Sequence, residues 1–447
     1  MLLNSGELEN ARPTLQITYV EHFKNLECEN STFLDENHHV SSCLLYPTHR
    51  RRAVSENNIC IERSYTDYKT QYNGILAFVN TKSGGGHGKV LAKLLRQIIN
   101  PENVYELNEE NSNFNMCDVL KQRSYENTGY RIIAAGGDGT SAWTFDSLDK
   151  TGLLDRNSVA VIPLGTGNDM AGFLNWGYTF DRTQDTKKLV ESVMNAEIVK
   201  IDRWHLDISP INSLNEQSKN TKVLQYNIFN NYLSIGLDAA VALKFHKNRE
   251  NTFAQNGPNS KTGGSRIQNI WHYTNEYLKQ TFNIERLFAD KSLADVVELV
   301  CDGVQMNLRM SYLKPDTLLF LNIPSYAGGC KPWGGANELS RIPYNEKWSK
   351  QKADDGILEV IAYTALEFSD ILLGGRGHRI FQCKVAELLI KSPIPVKVDG
   401  EPIELHPCRI VISCYNQVIG LRNLACNDDP QVLKRVLSSL RFGPGRS

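Results

Sequence analysis

The chain has 447 residues, and its apolar content of 41% and charged content of 22% are typical of a globular protein with two domains. The formal net charge of −1 provides no basic excess, so a nucleic-acid partner is not expected. The first residues lack the pattern of a signal peptide, and no apolar run is long enough to span a membrane. The ten cysteines contain no C-x-x-C pair, which argues against zinc modules and against a disulfide scaffold. These features favour a reducing cytoplasm.

Residues 1–71 are polar and without sustained periodicity, so they are predicted to be a partly disordered extension, and residues 426–447 to be a C-terminal tail. Between residues 72 and 199 the sequence repeats one pattern three times. A short apolar run, long enough for a buried strand, leads into a glycine-rich loop and a helix-compatible segment. The repetition predicts a parallel sheet with crossover helices, a doubly wound α/β lobe that binds its ligand at the carboxyl ends of the strands.

The second glycine loop is the most informative of the three. Gly136, Gly137 and Gly139 surround one carboxylate, Asp138, after the apolar run that begins at Arg131. Glycines allow turns that other residues resist, and exposed backbone N–H groups in such a loop can bind phosphate oxygens. Asp138 is then placed to take a proton from a hydroxyl or to orient a magnesium ion. The pattern indicates phosphoryl transfer.

The common nucleotide motifs do not fit these loops. Ser83 replaces the first glycine of a P-loop, and Val90 replaces its final hydroxyl residue. Met170 stands where the dinucleotide motif G-x-G-x-x-G needs its third glycine, and the kinase triplets H-R-D and D-F-G are absent from the sequence. The sequence therefore predicts a phosphotransferase of a less common architecture, with three tight turns that bind no ligand as the alternative.

Residues 200–425 have a β-rich pattern with few intervening helices, which predicts a mainly antiparallel β-sandwich or barrel lobe. The strand-like runs are 200–206, 226–237, 296–301, 317–323, 357–363, 385–391 and 409–414. A polar loop is expected over 248–265. A helix is expected over 266–282, with its apolar face packed on the sheet or, alternatively, on a membrane. The loop 322–329 either lines a ligand cleft or is a plain loop.

Three acidic turns in this lobe are candidate sites. Asp399 and Glu401 lie at a turn between two strand-like runs, where two carboxylates could serve magnesium or a substrate hydroxyl; Asp-Gly is also the commonest hairpin turn. Asp202 could hold a metal-bound water, and an ion pair with Arg203 or a neighbour is the alternative. Asp355 lies in a sequence that is typical of a turn, and a cation site is the second interpretation.

Together, these motifs resemble the catalytic region of eukaryotic diacylglycerol kinases. The matching segments are FVNTKSGG, AAGGDGTSAW, VIPLGTGNDMA, KIDRW, FNNYLSIGLDAAVALKFH, VCDG, FLNIPSYAGG with PWG, DDGILEVIAY and VDGEP, in the order of the family. They extend from Ile75 to about Gly420, although GGDG alone is shared with NAD kinases. The resemblance implies transfer of the ATP γ-phosphate to the free hydroxyl of diacylglycerol, giving phosphatidic acid. It also implies an α/β nucleotide lobe and a β-sandwich lobe that flank one cleft.

The resemblance also implies roles for individual residues. The candidate nucleotide-binding residues are Asn80, Lys82, Ser83, Gly84, Gly136, Gly137, Gly139, Thr140, Gly165, Thr166, Gly167, Asn168 and Asp169. Asp138, Asp399 and Glu401 are the candidate catalytic residues, with Asp399 the first choice for taking the proton of the lipid hydroxyl and Asp138 the second. Asp202 and Asp355 resemble carboxylates tied to magnesium in bacterial relatives. ATP and Mg²⁺ are therefore the expected cofactors.

The implied substrate is a membrane lipid, since moving its acyl chains into water costs ~0.8 kcal/mol per methylene. The protein is therefore expected to be cytoplasmic and peripherally associated with a membrane. Two features depart from the family: Thr81 replaces the usual proline, and the paired zinc modules of animal members have no counterpart. The chain is then a truncated or simplified member, or it reaches the membrane through other surfaces. The alternatives are a kinase for a sphingoid base, ceramide or monoacylglycerol, a soluble NAD kinase, or a catalytically dead lipid-binding scaffold.

Overall fold

A computed structural model describes residues 74–107, 114–125, 129–180, 183–211, 227–256, 292–334, 348–372 and 374–425. The predicted extension 1–71, the predicted helix 266–282 and the tail 426–447 lie outside these residues. Within them, an α/β lobe precedes a mainly antiparallel β lobe, as the sequence predicts.

The α/β lobe consists of strand–loop–helix units in succession. Its elements are β1 (Ile75–Asn80), a 3-10 turn (Ser83–Gly86), α1 (His87–Ile98), a second 3-10 turn (Pro101–Asn103), β2 (Val104–Leu107), α2 (Met116–Ser124), β3 (Arg131–Gly136), α3 (Asp138–Lys150), β4 (Ser158–Pro163), α4 (Asp169–Phe173) and α5 (Thr186–Asn195). The four-residue strand β2 is too short to produce a periodic signal, and the sequence did not predict it.

The four strands pair in parallel in the order β2-β1-β3-β4. Because β1, β3 and β4 are almost entirely buried, their sequences are continuous apolar runs rather than alternating patterns. Helix α1 packs with α5, and α2 packs with α3, so two groups of helices cover the sheet, as expected for a doubly wound lobe. Each of β1, β3 and β4 leads at its carboxyl end into one of the three glycine loops.

The β lobe contributes the remaining elements. They are β5 (Glu197–Pro210), β6 (Ile228–Phe229), β7 (Tyr232–Gly236), α6 (Leu237–Asn256), α7 (Leu293–Val296), β8 (Val297–Cys301), β9 (Val304–Gln305), α8 (Asn307–Leu313), β10 (Thr317–Leu321), β11 (Leu358–Tyr363), α9 (Ala365–Leu372), β12 (His378–Cys383), β13 (Val385–Ile390), β14 (Ile394–Val398), β15 (Glu401–Leu405) and β16 (Cys408–Arg422).

These strands form two sheets that face each other across one core. Six antiparallel strands pair in the order β12-β11-β10-β7-β14-β15, and β5, β16, β13, β8 and β9 form the opposing layer. Trp204, Leu233, Phe320, Leu388 and Ile410, drawn from both layers, pack together in the core. Of the two predicted architectures, the lobe is therefore a sandwich rather than a barrel.

Strand β16 joins the two lobes. Its amino-terminal half pairs with β13 in the sandwich, and near its carboxyl end Gly420 pairs in parallel with Val159 of β4. Val418 and Leu421 belong to the core of the α/β lobe. The predicted boundary at residue 199 stays a prediction, and β16 returns to the first lobe long after that point.

Helix α6 corrects one expectation. The polar loop predicted over 248–265 is wrong for residues 248–256, because the helix that begins at Leu237 continues to Asn256. The helix packs on β7, β14 and β15, and its residues 237–242 are buried. A helix that is already formed extends through polar residues at little cost. No helix in the described ranges combines the length and the hydropathy needed to cross a bilayer.

Candidate active site

The three glycine loops meet at the carboxyl end of the parallel sheet, as predicted. A Cβ atom at Gly84 in the first loop would lie 3.2 Å from the carbonyl oxygen of Leu164, next to the third loop. A Cβ atom at Gly165 in the third loop would lie 2.4 Å from the Cα of Gly137 in the second. Real Cβ atoms do not approach backbone atoms this closely, so the contact between the second and third loops requires glycine.

The first loop is a short turn with positive φ angles. Asn80 ends β1, and its Oδ1 accepts a hydrogen bond from the backbone N of Lys82 at 3.1 Å. Ser83 begins the 3-10 turn, and Gly84 follows with φ 64°. Lys82 and Gly84 are exposed, so the loop presents a lysine charge and main chain at the end of β1. Both groups suit contact with phosphate oxygens.

The second loop is the start of a helix. Gly136 ends β3, Gly137 is the N-cap of α3, Asp138 is its first residue, and Gly139 and Thr140 lie in its first turn. A Cβ atom at Gly136 would lie 2.1 Å from Thr140 Oγ1, so the threonine side chain fills the space that this glycine leaves. The positive end of α3 is at the loop, an arrangement that favours anions.

The third loop is closed by Asn168, which has a left-handed backbone with φ 56°. Its Oδ1 accepts a hydrogen bond from Gly165 N at 2.9 Å, and its Nδ2 donates to Gly165 O at 2.8 Å. The side chain that the sequence assigned to the nucleotide therefore holds the loop. Thr166 is exposed at the tip, and a Cβ atom at Gly167 would lie 3.0 Å from Asp138 Oδ2.

Asp138 lies where the second and third loops meet the β lobe. Its carboxylate accepts hydrogen bonds from Asp169 N at 3.2 Å and Met170 N at 3.0 Å, at the start of α4. The side-chain amide of Asn231, from the β lobe, also hydrogen-bonds the carboxylate. Burial outweighs these donors and raises the pKa of Asp138. A raised pKa makes this carboxylate a stronger base.

Asp169 connects the lobes. Its carboxylate accepts hydrogen bonds from Ser325 Oγ at 2.7 Å, Gly328 N at 3.0 Å and Gly329 N at 3.2 Å, all in the loop after β10. Burial, and then the negative charge of Asp138, raise the pKa of Asp169 to about 7. The sequence assigned Asp169 to the nucleotide, whereas its carboxylate holds a loop of the β lobe beside the glycine loops.

Asp399 occupies the hairpin turn between β14 and β15. Its φ of 45°, followed by 96° at Gly400, is the geometry that favours Asp-Gly in two-residue hairpins. The carboxylate accepts four hydrogen bonds, from Asn230 N at 2.7 Å, Asn230 Nδ2 at 3.1 Å, Asn231 N at 2.7 Å and Tyr232 N at 3.1 Å. Burial raises the pKa of Asp399 to about 6 despite these donors.

The carboxylate of Asp399 is fully hydrogen-bonded by the protein. Each of its oxygens accepts two hydrogen bonds from the protein, which fills the acceptor capacity of a carboxylate. Asp138 also has four donors around its carboxylate, the backbone N of Asn168, Asp169 and Met170 and the side-chain amide of Asn231. Both carboxylates stay candidates for the proton acceptor, and Asp138 is the one that lies at the start of α3 among the glycine loops. Glu401, the first residue of β15, is exposed.

Arg203 of β5 connects helix α3 to the Asp399 turn. The guanidinium is fully buried and forms ion pairs with Asp146 and with Asp149, the latter at 2.7 Å. Its Nε donates to Asn230 Oδ1 at 3.2 Å, which leaves Asn230 Nδ2 directed at Asp399. One helix thus carries Asp138 at its first residue and, two to three turns later, the carboxylates that hold Arg203.

Asp202 lies on the opposite side of β5 from Arg203, because successive strand residues alternate in direction. Its Oδ2 accepts from Gly356 N at 2.7 Å and its Oδ1 from Gln417 Nε2 at 2.8 Å. The alternative of an ion pair with Arg203 is wrong, since that guanidinium pairs with two carboxylates of α3. Asp355 is close by: burial, and then the charge of Asp202, raise its pKa. Two neighbouring carboxylates suit a hard cation such as Mg²⁺.

Several residues of the site were not singled out from the sequence. Asn231 and Tyr232 lie between Asp138 and Asp399. Burial, and then the charges of Asp169, Asp238, Asp138 and Asp399 in that order, raise the pKa of Tyr232. Lys397 is buried, forms an ion pair with Asp238, and has its Nζ 5.2 Å from the centre of the Tyr232 ring. The sequence did contain one signal for this part of the site, because a lysine inside the apolar run of β14 is unusual.

Both lobes match known family models. Residues 74–205 match the diacylglycerol kinase catalytic domain, and residues 228–402 match the diacylglycerol kinase accessory domain. The first range contains the glycine loops and Asp138, and the second contains Asn231 and the Asp399 hairpin. The chain belongs to the diacylglycerol kinase family, through its catalytic and accessory domains.

Individual relatives agree with this assignment. The chain is 35% identical over 347 residues to diacylglycerol kinase zeta of Homo sapiens, covering 77% of this chain and 35% of that protein. It is 35% identical over 350 residues to diacylglycerol kinase iota of Mus musculus, covering 77% of this chain and 31% of that protein. The chain thus spans about a third of the length of these relatives. Among solved structures, a diacylglycerol kinase of Bacillus anthracis str. Sterne aligns with a TM-score of 0.45 and 17% identity, covering 80% of this chain and 99% of that one.

Proposed function

We propose that this protein transfers the γ-phosphate of ATP to the free hydroxyl of diacylglycerol, forming phosphatidic acid. The observation that carries the proposal is the position of Asp138. This carboxylate lies at the positive end of α3, among three glycine loops, and it is hydrogen-bonded by Asn231 of the β lobe. A loop cradle for phosphates on one side and a half-buried base on the other are the two parts that phosphoryl transfer to a hydroxyl needs.

The proposed nucleotide site uses the convergent glycine loops. The exposed Lys82 and the main chain of Ser83 and Gly84 contribute from the first loop, and the start of α3 from the second. Most of the catalysis of phosphoryl transfer comes from positioning and from neutralising charge, which backbone N–H groups and a helix N-terminus supply. The remaining predicted contacts, Gly139, Thr140, Gly165, Thr166 and Gly167, stay part of this proposal, while Asn168 and Asp169 support it by shaping the loops.

Proton transfer is assigned to Asp138. The hydroxyl oxygen forms a bond to the γ-phosphorus, the bond from that phosphorus to the bridging oxygen breaks, and ADP leaves with the electron pair. The hydroxyl proton passes to the Asp138 carboxylate, whose raised pKa suits it to receive one. Asp399 has the different role of fixing the Asn230–Tyr232 segment, and exposed Glu401 stays a candidate for contact with substrate.

Magnesium fits this chain at carboxylate oxygens. Mg²⁺ is usually held by one or two carboxylates together with substrate phosphates, and it neutralises their charge. Asp202 and Asp355 are a pair of this kind and are proposed to hold the ion. Among the described residues, no three His, Cys, Asp or Glu side chains form a cage for a metal.

Because diacylglycerol resides in a membrane, the protein is proposed to be cytoplasmic and to associate peripherally with the lipid surface. The test is an acceptor panel: purified full chain with γ-labelled ATP and micelles of diacylglycerol, sphingoid base, ceramide or monoacylglycerol. The proposal expects label in phosphatidic acid at the highest kcat/KM of the panel. Preferential labelling of another lipid would assign that lipid, instead of diacylglycerol, as the acceptor. Labelling of none would support a lipid-binding scaffold, and phosphorylation of NAD would support the soluble alternative.

A further inference from the structure

One buried acceptor in the candidate active site is not used by the protein. The side chain of Asn231 is 2% exposed, and within the described part of the chain its Oδ1 has no hydrogen-bond partner. Such an atom costs about 1–3 kcal/mol of stability, so a buried acceptor without a partner calls for an explanation. A group that is absent from the isolated protein, and that brings a hydrogen, would supply one.

Two nearby asparagines, by contrast, have both ends of their side-chain amides hydrogen-bonded within the protein. Asn230 accepts from Arg203 Nε through Oδ1 and donates through Nδ2 to Asp399, so both ends of its amide are occupied. Asn322 is also fully used: its Oδ1 accepts from Trp204 Nε1 at 2.9 Å, and its Nδ2 donates to two carbonyl oxygens. Asn231 lies beside these two asparagines, but its side-chain oxygen Oδ1 has no partner among the described residues.

Asn231 is held in place by contacts on several sides. Its backbone N donates to Asp399 at 2.7 Å, and its backbone O accepts from Asn322 N at 3.0 Å. Its side-chain amide hydrogen-bonds Asp138, and since Oδ1 has no partner among the described residues, Nδ2 is the donor. The unpaired oxygen therefore lies next to the proposed base, on the β-lobe side of it.

We propose that Asn231 Oδ1 accepts a hydrogen bond from the hydroxyl of the lipid and so positions the attacking oxygen beside Asp138. The proposal rests on the proposed kinase function. An amide oxygen is an acceptor only, so its partner must carry a hydrogen or a positive charge. The amide N–H of Asn231 already points at Asp138. A cation that bridged the two side chains would lie against this positively polarised hydrogen, which is unfavourable. A lipid hydroxyl has one hydrogen to give.

The order of events is compatible with a single hydroxyl proton. In a loose phosphoryl-transfer transition state, the bond to the attacking oxygen is little formed and the proton leaves late. The hydroxyl hydrogen points at Asn231 Oδ1 in the substrate complex, which directs an oxygen lone pair at the phosphorus. As the new P–O bond forms, the proton passes to the adjacent Asp138 carboxylate, and ADP departs with the electrons of the broken bond.

The test compares Asn231→Ala with Asn322→Ala in the purified full chain. For Asn231→Ala we expect kcat with diacylglycerol to fall on the order of 100-fold, since misplacing a reacting group by about 1 Å has this effect. Binding of a non-hydrolysable ATP analogue should stay near wild type, and the thermal midpoint should fall less than in Asn322→Ala, because the variant removes only the Nδ2 hydrogen bond to Asp138, which keeps its backbone donors. Asn322→Ala should lower the thermal midpoint, because Trp204 Nε1 then loses its acceptor.

Three results would overturn the proposal. If Asn231→Ala has the kcat of the wild type, Oδ1 does not contact the substrate, and its partner is a water. A deficit that disappears at high pH would show that the asparagine acts only through the pKa of Asp138. A raised half-saturating Mg²⁺ concentration, with kcat recovered at excess Mg²⁺, would assign Oδ1 to the metal. If the wild type phosphorylates no lipid, the proposed function fails instead, so the two failures are distinguishable.

Discussion

Two groups of carboxylates in this protein are built in different ways. Asp169 is buried, Asp138 and Asp399 are half-buried, and each of the three is held mainly by backbone N–H groups of a neighbouring loop or strand. Asp202 and Asp355 lie on the other side of β5, where the buried Asp202 bonds Gln417 and Gly356 and Asp355 is half-buried. The first group joins the two lobes and carries the proposed chemistry. The second is suited to hold an ion.

The largest expected effect is the loss of the base. Asp138→Asn should lower kcat by about 10²–10⁴-fold, the usual contribution of a general base. Asp355→Asn, the control from the second group, should cost less than about fivefold at saturating Mg²⁺, because its role is to hold an ion that excess Mg²⁺ can restore. Steady-state assays with diacylglycerol micelles measure both. Equal losses would remove the distinction between the two groups.

The support beneath the first group of carboxylates is tested at Arg203. Arg203→Met should lower the free energy of unfolding by about 3 kcal/mol, the lower end for a broken buried ion pair, because it leaves the half-buried carboxylates of Asp146 and Asp149 without their cation. Arg409→Met is the matched control: its ion pair with Glu387 is exposed and should contribute less than about 1 kcal/mol. Urea denaturation measures both variants, and similar losses would show that Arg203 is not the support inferred here.

Close contact of the glycine loops predicts a smaller effect on nucleotide binding. Gly165→Ala places a Cβ 2.4 Å from the Cα of Gly137, so the second and third loops must separate. We expect KM for ATP to rise on the order of tenfold with the lipid KM unchanged. Gly167→Ala should have a weaker effect, since its nearest contact is the Asp138 side chain at 3.0 Å. The opposite ranking would contradict the packing of the loops.

The last expected effect concerns the pH dependence of stability. The pKa of Asp169 is raised to about 7 in the folded protein from 3.8, so the folded state binds this proton more tightly than the unfolded state does. Stability from this group is present at low pH and decreases as pH rises from about 4 to about 7, by up to about 1.4 kcal/mol per pH unit. Relative to Asp169→Asn, the wild type should therefore lose stability over this range in urea titrations. A difference that increases with pH would contradict the assignment.

Much of the architecture was predictable because local patterns and the fold agree. Buried parallel strands appear as apolar runs, glycine follows them where loops touch, and Asp399-Gly400 has the backbone of the hairpin that its sequence favours. The β-sandwich followed from runs without intervening helices. Short elements such as β2 and the extension of α6 depend on tertiary packing, and no local signal specified them.

The roles of individual polar residues were less predictable. Sequence placed Asn168, Asp169 and Asp399 in the site but could not show that their side chains are occupied by protein donors and acceptors. Only the fold brings Asn231 to Asp138, across more than ninety residues of sequence. Which polar atom is satisfied and which is not depends on three-dimensional contacts, and it decides which residues can meet a substrate.

The central claim is that the α/β lobe and the β lobe build one reaction site. It is tested most directly by a double-mutant cycle between Asp138→Asn in the first lobe and Asn231→Ala in the second, with kcat for diacylglycerol as the readout. Residues that act on the same hydroxyl as a unit are non-additive, so the double variant should be about as slow as Asp138→Asn alone. Losses that multiply would mean that the two residues act independently, and would contradict a shared site.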